Sequence, residues 1–167
     1  MKTKLRGLIV LTMLVVFASC SKDEIDQNDV LNHEIDLSIV LKNDVQMSKA
    51  ILELVNDHRL SIGLNPLIMD QAYASAYAVD HTDYMISLSQ INHHNFHVRS
   101  EGLKSRGAER VGENVAYGYT DAETVVSSWL NSPAHREVIE GNYNHSGFGV
   151  FQNEQGRYFF TQLFYLK

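Results

Sequence analysis

The chain has 167 residues, with 14 Lys and Arg against 20 Asp and Glu, and a single cysteine. A net charge of -6 excludes a nucleic-acid partner, which requires clustered basic side chains to meet phosphates. One thiol excludes an intrachain disulfide framework, and the length fits one domain around one core.

At the N-terminus Lys2, Lys4 and Arg6 precede an apolar run over residues 8–17, and Ala18 and Ser19 lead into Cys20. A positive segment, a short apolar segment and small residues in that order form a secretory signal. The apolar run of ten residues falls well short of the roughly 20 that a spanning helix needs, which argues against the alternative of an uncleaved membrane anchor. The cysteine directly after Ala18-Ser19 resembles a bacterial lipobox, with Phe17 where leucine is usual. That resemblance implies that Cys20 is diacylated and becomes the first residue of the mature chain, each buried methylene contributing about 0.8 kcal/mol to anchoring. The acidic stretch after it, from Ser21 to Asp29, resembles the surface-export signals of Bacteroidetes lipoproteins. Loss of residues 1–19 leaves 148 residues with 11 basic and 20 acidic side chains. Three parts are therefore expected: a signal over 1–19, a lipidated and polar tether over 20–45, and a folded domain over 46–167.

Met47, Ala50, Ile51, Leu54 and Val55 recur at helical spacing and predict a first helix that ends before Gly63. Asp70 is placed to cap a second helix with a stripe of Tyr73, Ala76, Tyr77, Asp80, His81 and Tyr84. Residues 88–110 read as irregular. Residues 112–119 read as an extended segment. Thr120-Asp121-Ala122-Glu123 has the form of a capping box ahead of a helix that buries Val125, Val126, Trp129 and Leu130. Ser132-Pro133 opens a further short helix, serine as cap and proline at the first helical position, with Val138 and Ile139 inward. Residues 147–151 and 157–165 are strand material joined by Asn153-Glu154-Gln155-Gly156. Aromatic side chains occupy both phases of the last strand, so both faces of its sheet are expected to be covered. No internal repeat and no Gly-rich phosphate loop is present, and the order of elements predicts an α+β layered domain.

Five polar residues stand out as chemistry carriers: His93, Glu113, Asn114, Ser132 and His135. Two imidazoles and a carboxylate can hold a divalent cation or move a proton. The same groups can serve structure alone, bracing the irregular chain between Ile91 and Gly112. No HExxH, paired CxxC or GxSxG motif decides between these readings.

Gly112-Glu113-Asn114-Val115-Ala116, the run from Val125 to Arg136 containing Trp129-Leu130-Asn131-Ser132-Pro133-Ala134-His135-Arg136, then Gly147-Phe148-Gly149-Val150 and residues 158–164 resemble the CAP superfamily of cysteine-rich secretory, antigen 5 and pathogenesis-related 1 proteins, in its bacterial SCP-like form. Asn56-Asp57-His58-Arg59, Gly63-Leu64-Asn65-Pro66-Leu67 and His93-His94-Asn95-Phe96 with Arg99 fit the same pattern, so the likeness covers about residues 47–165. It implies a three-layer α-β-α sandwich with a central, mainly antiparallel sheet and a wide cleft. Family members carry a cleft tetrad of two histidines and two glutamates that can bind a divalent cation such as zinc, calcium or magnesium. His93, Glu113 and His135 match three of these positions, whereas Ser132 stands where the second glutamate is expected, which implies weaker cation binding. Asn114 and Ser132 are expected to support the cleft.

Two functions follow from the likeness. One is a monomeric binding or interaction module, displayed from the membrane through Cys20 at the cell envelope (the outer membrane, facing the surface) and taking a lipid, peptide or envelope ligand. The alternative is a metal-assisted hydrolase acting on a peptide or envelope component. Fold alone cannot choose between them.

Overall fold

The computed structural model describes residues 35–167. The signal, Cys20 and the tether up to residue 34 lie outside the described residues. A four-stranded sheet in the order β1-β3-β4-β2 is covered by helices on both faces. In chain order the elements are α1 (Val45–Ser61), β1 (Ile68–Met69), α2 (Tyr73–Leu88), α3 (Phe96–Lys104), β2 (Arg110–Tyr117), α4 (Ala122–Asn131), α5 (Pro133–Ile139), β3 (His145–Gln152) and β4 (Tyr158–Leu166). The β3–β4 and β4–β2 pairs are antiparallel, and the two-residue β1 joins β3 in parallel. This is the expected α-β-α sandwich.

Alternation along β4 divides the core. Phe160 and Phe164 pack with Phe148, Val150, Trp129, Val125, Ile51 and Val55 beneath α1 and α4. Leu163 and Tyr165 face the other way, onto Ala74, Tyr77, Ala78 and Leu103 of α2 and α3. Helix α2 lies close against β3, because Gly147 and Gly149 carry no side chain toward it. A Cβ on Gly147 would sit 2.3 Å from the Ala74 backbone, and one on Gly149 would sit 2.2 Å from the Ala78 carbonyl oxygen.

Several local expectations need correction. The last part of the stretch read as tether belongs to the folded body. Ile35 is buried, a 3-10 helix spans Leu37–Lys42, and Ile39 and Val40 pack against the α2 side of the core. Asn43 and Asp44 then complete the free edge of β3: Asn43 Oδ1 accepts from Val150 N at 2.7 Å, and Asp44 N donates to Val150 O at 2.6 Å. Within the region read as irregular, residues 96–104 form α3. Its inward positions include Arg99 and Ser100 beside Gly102 and Leu103, so no apolar period marks it. The α2 stripe is also different, since Asp80 is exposed and Tyr73 and Tyr84 are more than a third exposed, while Ala74, Ala78, Val79, Thr82 and Met85 are buried.

Helix ends show the same kind of shift. Asp70 accepts from Ala72 N and Ala74 N at 2.8 and 3.1 Å, although the formal cap of α2 is Ala72. Asp121, not Thr120, caps α4 by accepting from Thr124 N at 2.8 Å. Ser132 occupies the cap position of α5 with Pro133 behind it, but its side chain makes no capping hydrogen bond. At the C-terminal hairpin Asn153 Oδ1 gathers the N–H groups of Gln155 and Arg157, and Gly156 takes a left-handed φ of +73°.

One buried cation knits two connections together, the one from α1 to β1 and the one from α5 to β3. Arg59, 1% exposed, donates from its guanidinium to the carbonyls of Asn65, Ile139, Gly141 and Tyr143. No carboxylate pairs with it among the described residues.

Candidate functional site

The candidate side chains gather around β2, which is an edge strand. Successive residues of a strand point to opposite faces, so Glu113 and Asn114 turn away from each other. Glu113 faces α2 and α3, and Asn114 faces α5.

On the first side, the Glu113 carboxylate is almost fully enclosed, its side chain 2% exposed. Arg99 clasps it from α3, Nε donating to Oε2 at 2.7 Å and Nη2 to Oε1 at 2.9 Å. The His93 Nδ1 lies 2.8 Å from Oε1. A carboxylate only accepts, so that nitrogen carries the hydrogen. The third Arg99 nitrogen, Nη1, donates to His94 O at 2.8 Å. His81, deep in α2, stands 4.0 Å from Oε1 and donates from Nε2 to Asn92 O at 2.7 Å. His81, Tyr84 and His94 stack in sequence at 6.1 and 5.5 Å. Burial alone would raise the Glu113 pKa, but the hydrogen bonds from His93 and Arg99 and the guanidinium charge together hold it below the usual carboxylate range. Burial, reinforced by the Arg99 charge, lowers the His81 pKa. The His93 side chain is 54% exposed, so its outer edge faces water.

On the second side, Asn114 Nδ2 donates to His135 O at 3.1 Å, and Trp129 Nε1 donates to Val115 O at 3.2 Å. Helices α4 and α5 are thereby tied to β2. Burial first, and the charge of His93 second, lower the His135 pKa. His93 thus lies on the Glu113 side of the strand and His135 on the Asn114 side. Glu113 bonds His93 directly, whereas His135 connects to β2 through Asn114. The Ser132 hydroxyl makes no hydrogen bond to a capping N–H.

The donor set fits a metal poorly. Both Glu113 oxygens are engaged, and a dication at the carboxylate would sit against the Arg99 guanidinium. Among the described residues no group of three or more His, Cys, Asp or Glu is arranged to hold a metal ion. What the carboxylate does do is orient His93. Reading the sequence alone missed two members of this arrangement, His81 and Arg99. A histidine inside the inward stripe of an Ala-rich helix was the available signal for His81, since a buried imidazole needs a polar partner. Arg99 had none beyond its place in the family pattern.

The sequence profile of the cysteine-rich secretory protein family matches residues 52–164, a span that includes every residue of the two clusters above. The chain belongs to the CAP family. A Bacillus subtilis (strain 168) membrane protein, YlbC, is 36% identical over 125 residues, covering 70% of this chain and 33% of its own length. This CAP chain therefore spans about a third of that relative. An outer surface protein of Borrelia burgdorferi superposes with a TM-score of 0.66 at 22% identity, covering 74% of this chain and 94% of that one. An extracellular SCP-domain protein of Bacillus anthracis str. Ames gives 0.62 at 26% identity over 75% of this chain and 41% of that one.

Proposed function

We propose that this CAP domain is a binding or interaction module held at the cell envelope by acylated Cys20, presenting the His93–His135 face to water. The observation that carries the reading is the Glu113–Arg99 pair. The one carboxylate of the candidate set is spent on holding His93, and among the described residues neither imidazole hydrogen-bonds a hydroxyl that could act as nucleophile. Such a site can recognise a ligand without transforming it. The membrane and outer-surface descriptions of the Bacillus subtilis and Borrelia burgdorferi proteins support an envelope setting. No helix among the described residues is long and apolar enough to cross a membrane, and in this reading Cys20 supplies the anchor. The segment from Cys20 to residue 34 would reach at most roughly 50 Å when extended, enough to stand the domain off a bilayer.

Two experiments test the proposal. Cys20→Ser should move the protein from the membrane fraction to the soluble fraction and abolish incorporation of labelled palmitate; unchanged membrane retention would remove the anchor. Metal analysis and turnover assays on protein purified without added metal address the site. Stoichiometric zinc, with hydrolysis of an envelope peptide lost in a folded Glu113→Gln variant, would replace the binding module with a metal-assisted hydrolase.

A further inference from the structure

Three polar side-chain atoms are buried without a partner among the described residues: Asn114 Oδ1, Gln162 Oε1 and His135 Nδ1. Two belong to residues side by side on one sheet face, and the third to the residue whose backbone carbonyl Asn114 bonds. Asn114 and Gln162 are direct partners across β2 and β4, so their side chains project from the same face of the sheet. Both are 0% exposed. Asn114 in turn touches the His135 backbone.

The orientation of each carboxamide follows from its neighbours. The Asn114 group nearest His135 O must be the NH2, because an amide oxygen there would meet a carbonyl. Gln162 Nε2 lies 3.0 Å from Ser146 Oγ. That hydroxyl already gives its hydrogen to Leu163 O at 3.0 Å, so it accepts from Gln162, whose NH2 must point to it. Both orphan oxygens are therefore acceptors, and only His135 Nδ1 can carry a hydrogen.

We infer that Asn114 and Gln162 hold His135 as the Nδ1–H tautomer through one buried water. The water accepts from Nδ1–H and donates one hydrogen to each carboxamide oxygen. With this tautomer all three atoms are satisfied. With the opposite one, three acceptors would compete for two hydrogens. Buried polar groups are almost always paired, and ordered water is the usual partner where protein supplies none.

A property of the site follows. His93 carries its hydrogen on Nδ1, toward Glu113, and His135 carries its own on Nδ1, toward the sheet. In the neutral form, each imidazole then presents the Nε2 lone pair outward. Neutral lone pairs accept hydrogen bonds, so the ligand of this face brings donors, hydroxyl or ammonium groups, and not an oxyanion. This last step rests on the His93–His135 face being the binding face. The tautomer does not.

The test is imidazole 15N–1H long-range correlation spectroscopy on the full chain labelled at histidine, at a pH above imidazole titration, with His135 assigned from the peaks lost in His135→Gln. Expected is a protonated Nδ1 and an unprotonated Nε2 for His135; the reverse pattern overturns the inference. In Gln162→Leu one acceptor is gone and the water can donate to Nδ1, so the signal should shift toward Nε2–H. A wild-type pattern in that variant, if folded, would remove Gln162 from the device. Ethanolamine and inorganic phosphate then serve as probes of ligand class. Ethanolamine should move the Nε2 resonances of His93 and His135 and phosphate should not. The opposite result overturns the donor assignment alone. If neither probe moves them, the binding-face reading fails while the tautomer stands.

Discussion

Arg99→Met isolates the contact on which the site depends. The Arg99 and Glu113 side chains are 5% and 2% exposed and share two hydrogen bonds. Removing the guanidinium leaves an enclosed carboxylate with one imidazole donor, His93, and breaking a buried pair in this way costs about 3–5 kcal/mol. At roughly 3–4 °C per kcal/mol for a folded body of this size, the melting temperature should fall by about 10–20 °C. Urea denaturation at pH 7.5 gives the free energy directly. Adding Glu113→Gln should restore at least half the loss, because the stranded charge is then gone. The sign of the pH dependence is fixed as well. Without Arg99, burial raises the Glu113 pKa above its unfolded value, so the defect should be small near pH 4.5 and grow as pH rises. A loss under about 1 kcal/mol, or a double variant as weak as the two single losses summed, would refute the claim that the pair is coupled.

Three further outcomes can be measured alongside. Arg59→Lys should cost about 2–4 kcal/mol by urea denaturation, since an ammonium cannot span four carbonyls set around a planar fork and leaves at least one buried and unpaired; a change within about 0.5 kcal/mol would contradict the clamp. Gly149→Ala should destabilise by about 1–3 kcal/mol or more, because its Cβ meets backbone in α2 and not a movable side chain; thermal melts matching wild type would show that α2 can lift freely. Stability should fall with acid in two stages. The lowered pKa values of His81 and His135 mean that the unfolded chain takes up protons first, so stability declines as pH drops below about 6.5 toward the folded values. The lowered Glu113 pKa adds a second decline beginning below about 4.5. A flat profile between pH 7 and 5 would show that neither histidine is buried neutral.

Elements with a regular apolar stripe among their inward residues were legible in the sequence. The stripe of Ile51 and Val55, the Val125–Val126–Trp129 face of α4, and the two-phase aromatic pattern of β4 each found the core that their periodicity predicts. Helix α3 was illegible for the opposite reason. Its core-facing positions include an arginine and a serine, and their burial makes sense only once Glu113 is in place across 14 residues of sequence. The same holds for β1, two residues long and defined by its pairing with β3 alone. In the site, His93 and Glu113 were named and do meet. Alternation along an extended segment sends adjacent Glu113 and Asn114 to opposite faces, but nothing in the local pattern marked β2 as an edge strand.

Charge balance connects the missing carboxylate to what this face can recognise. Where the family pattern expects a second glutamate, this chain has Ser132, and the remaining carboxylate is cancelled by Arg99. The Glu113 carboxylate and the Arg99 guanidinium cancel, so the base beneath the two imidazoles carries no net charge, although residues 20–167 carry a formal charge of -9. Long-range attraction of cations by the whole surface is screened within about 8 Å at physiological salt and gives no preference for this spot. A second glutamate would have supplied that preference. Without it, recognition at His93 and His135 has to come from the direction of hydrogen bonds, which is set by buried groups behind each ring: Glu113 and Arg99 behind one, Asn114 and Gln162 behind the other. The two imidazoles are thus fixed from within and lack the carboxylate that would draw a metal between them, and that combination suits an organic hydrogen-bond donor better than a metal ion.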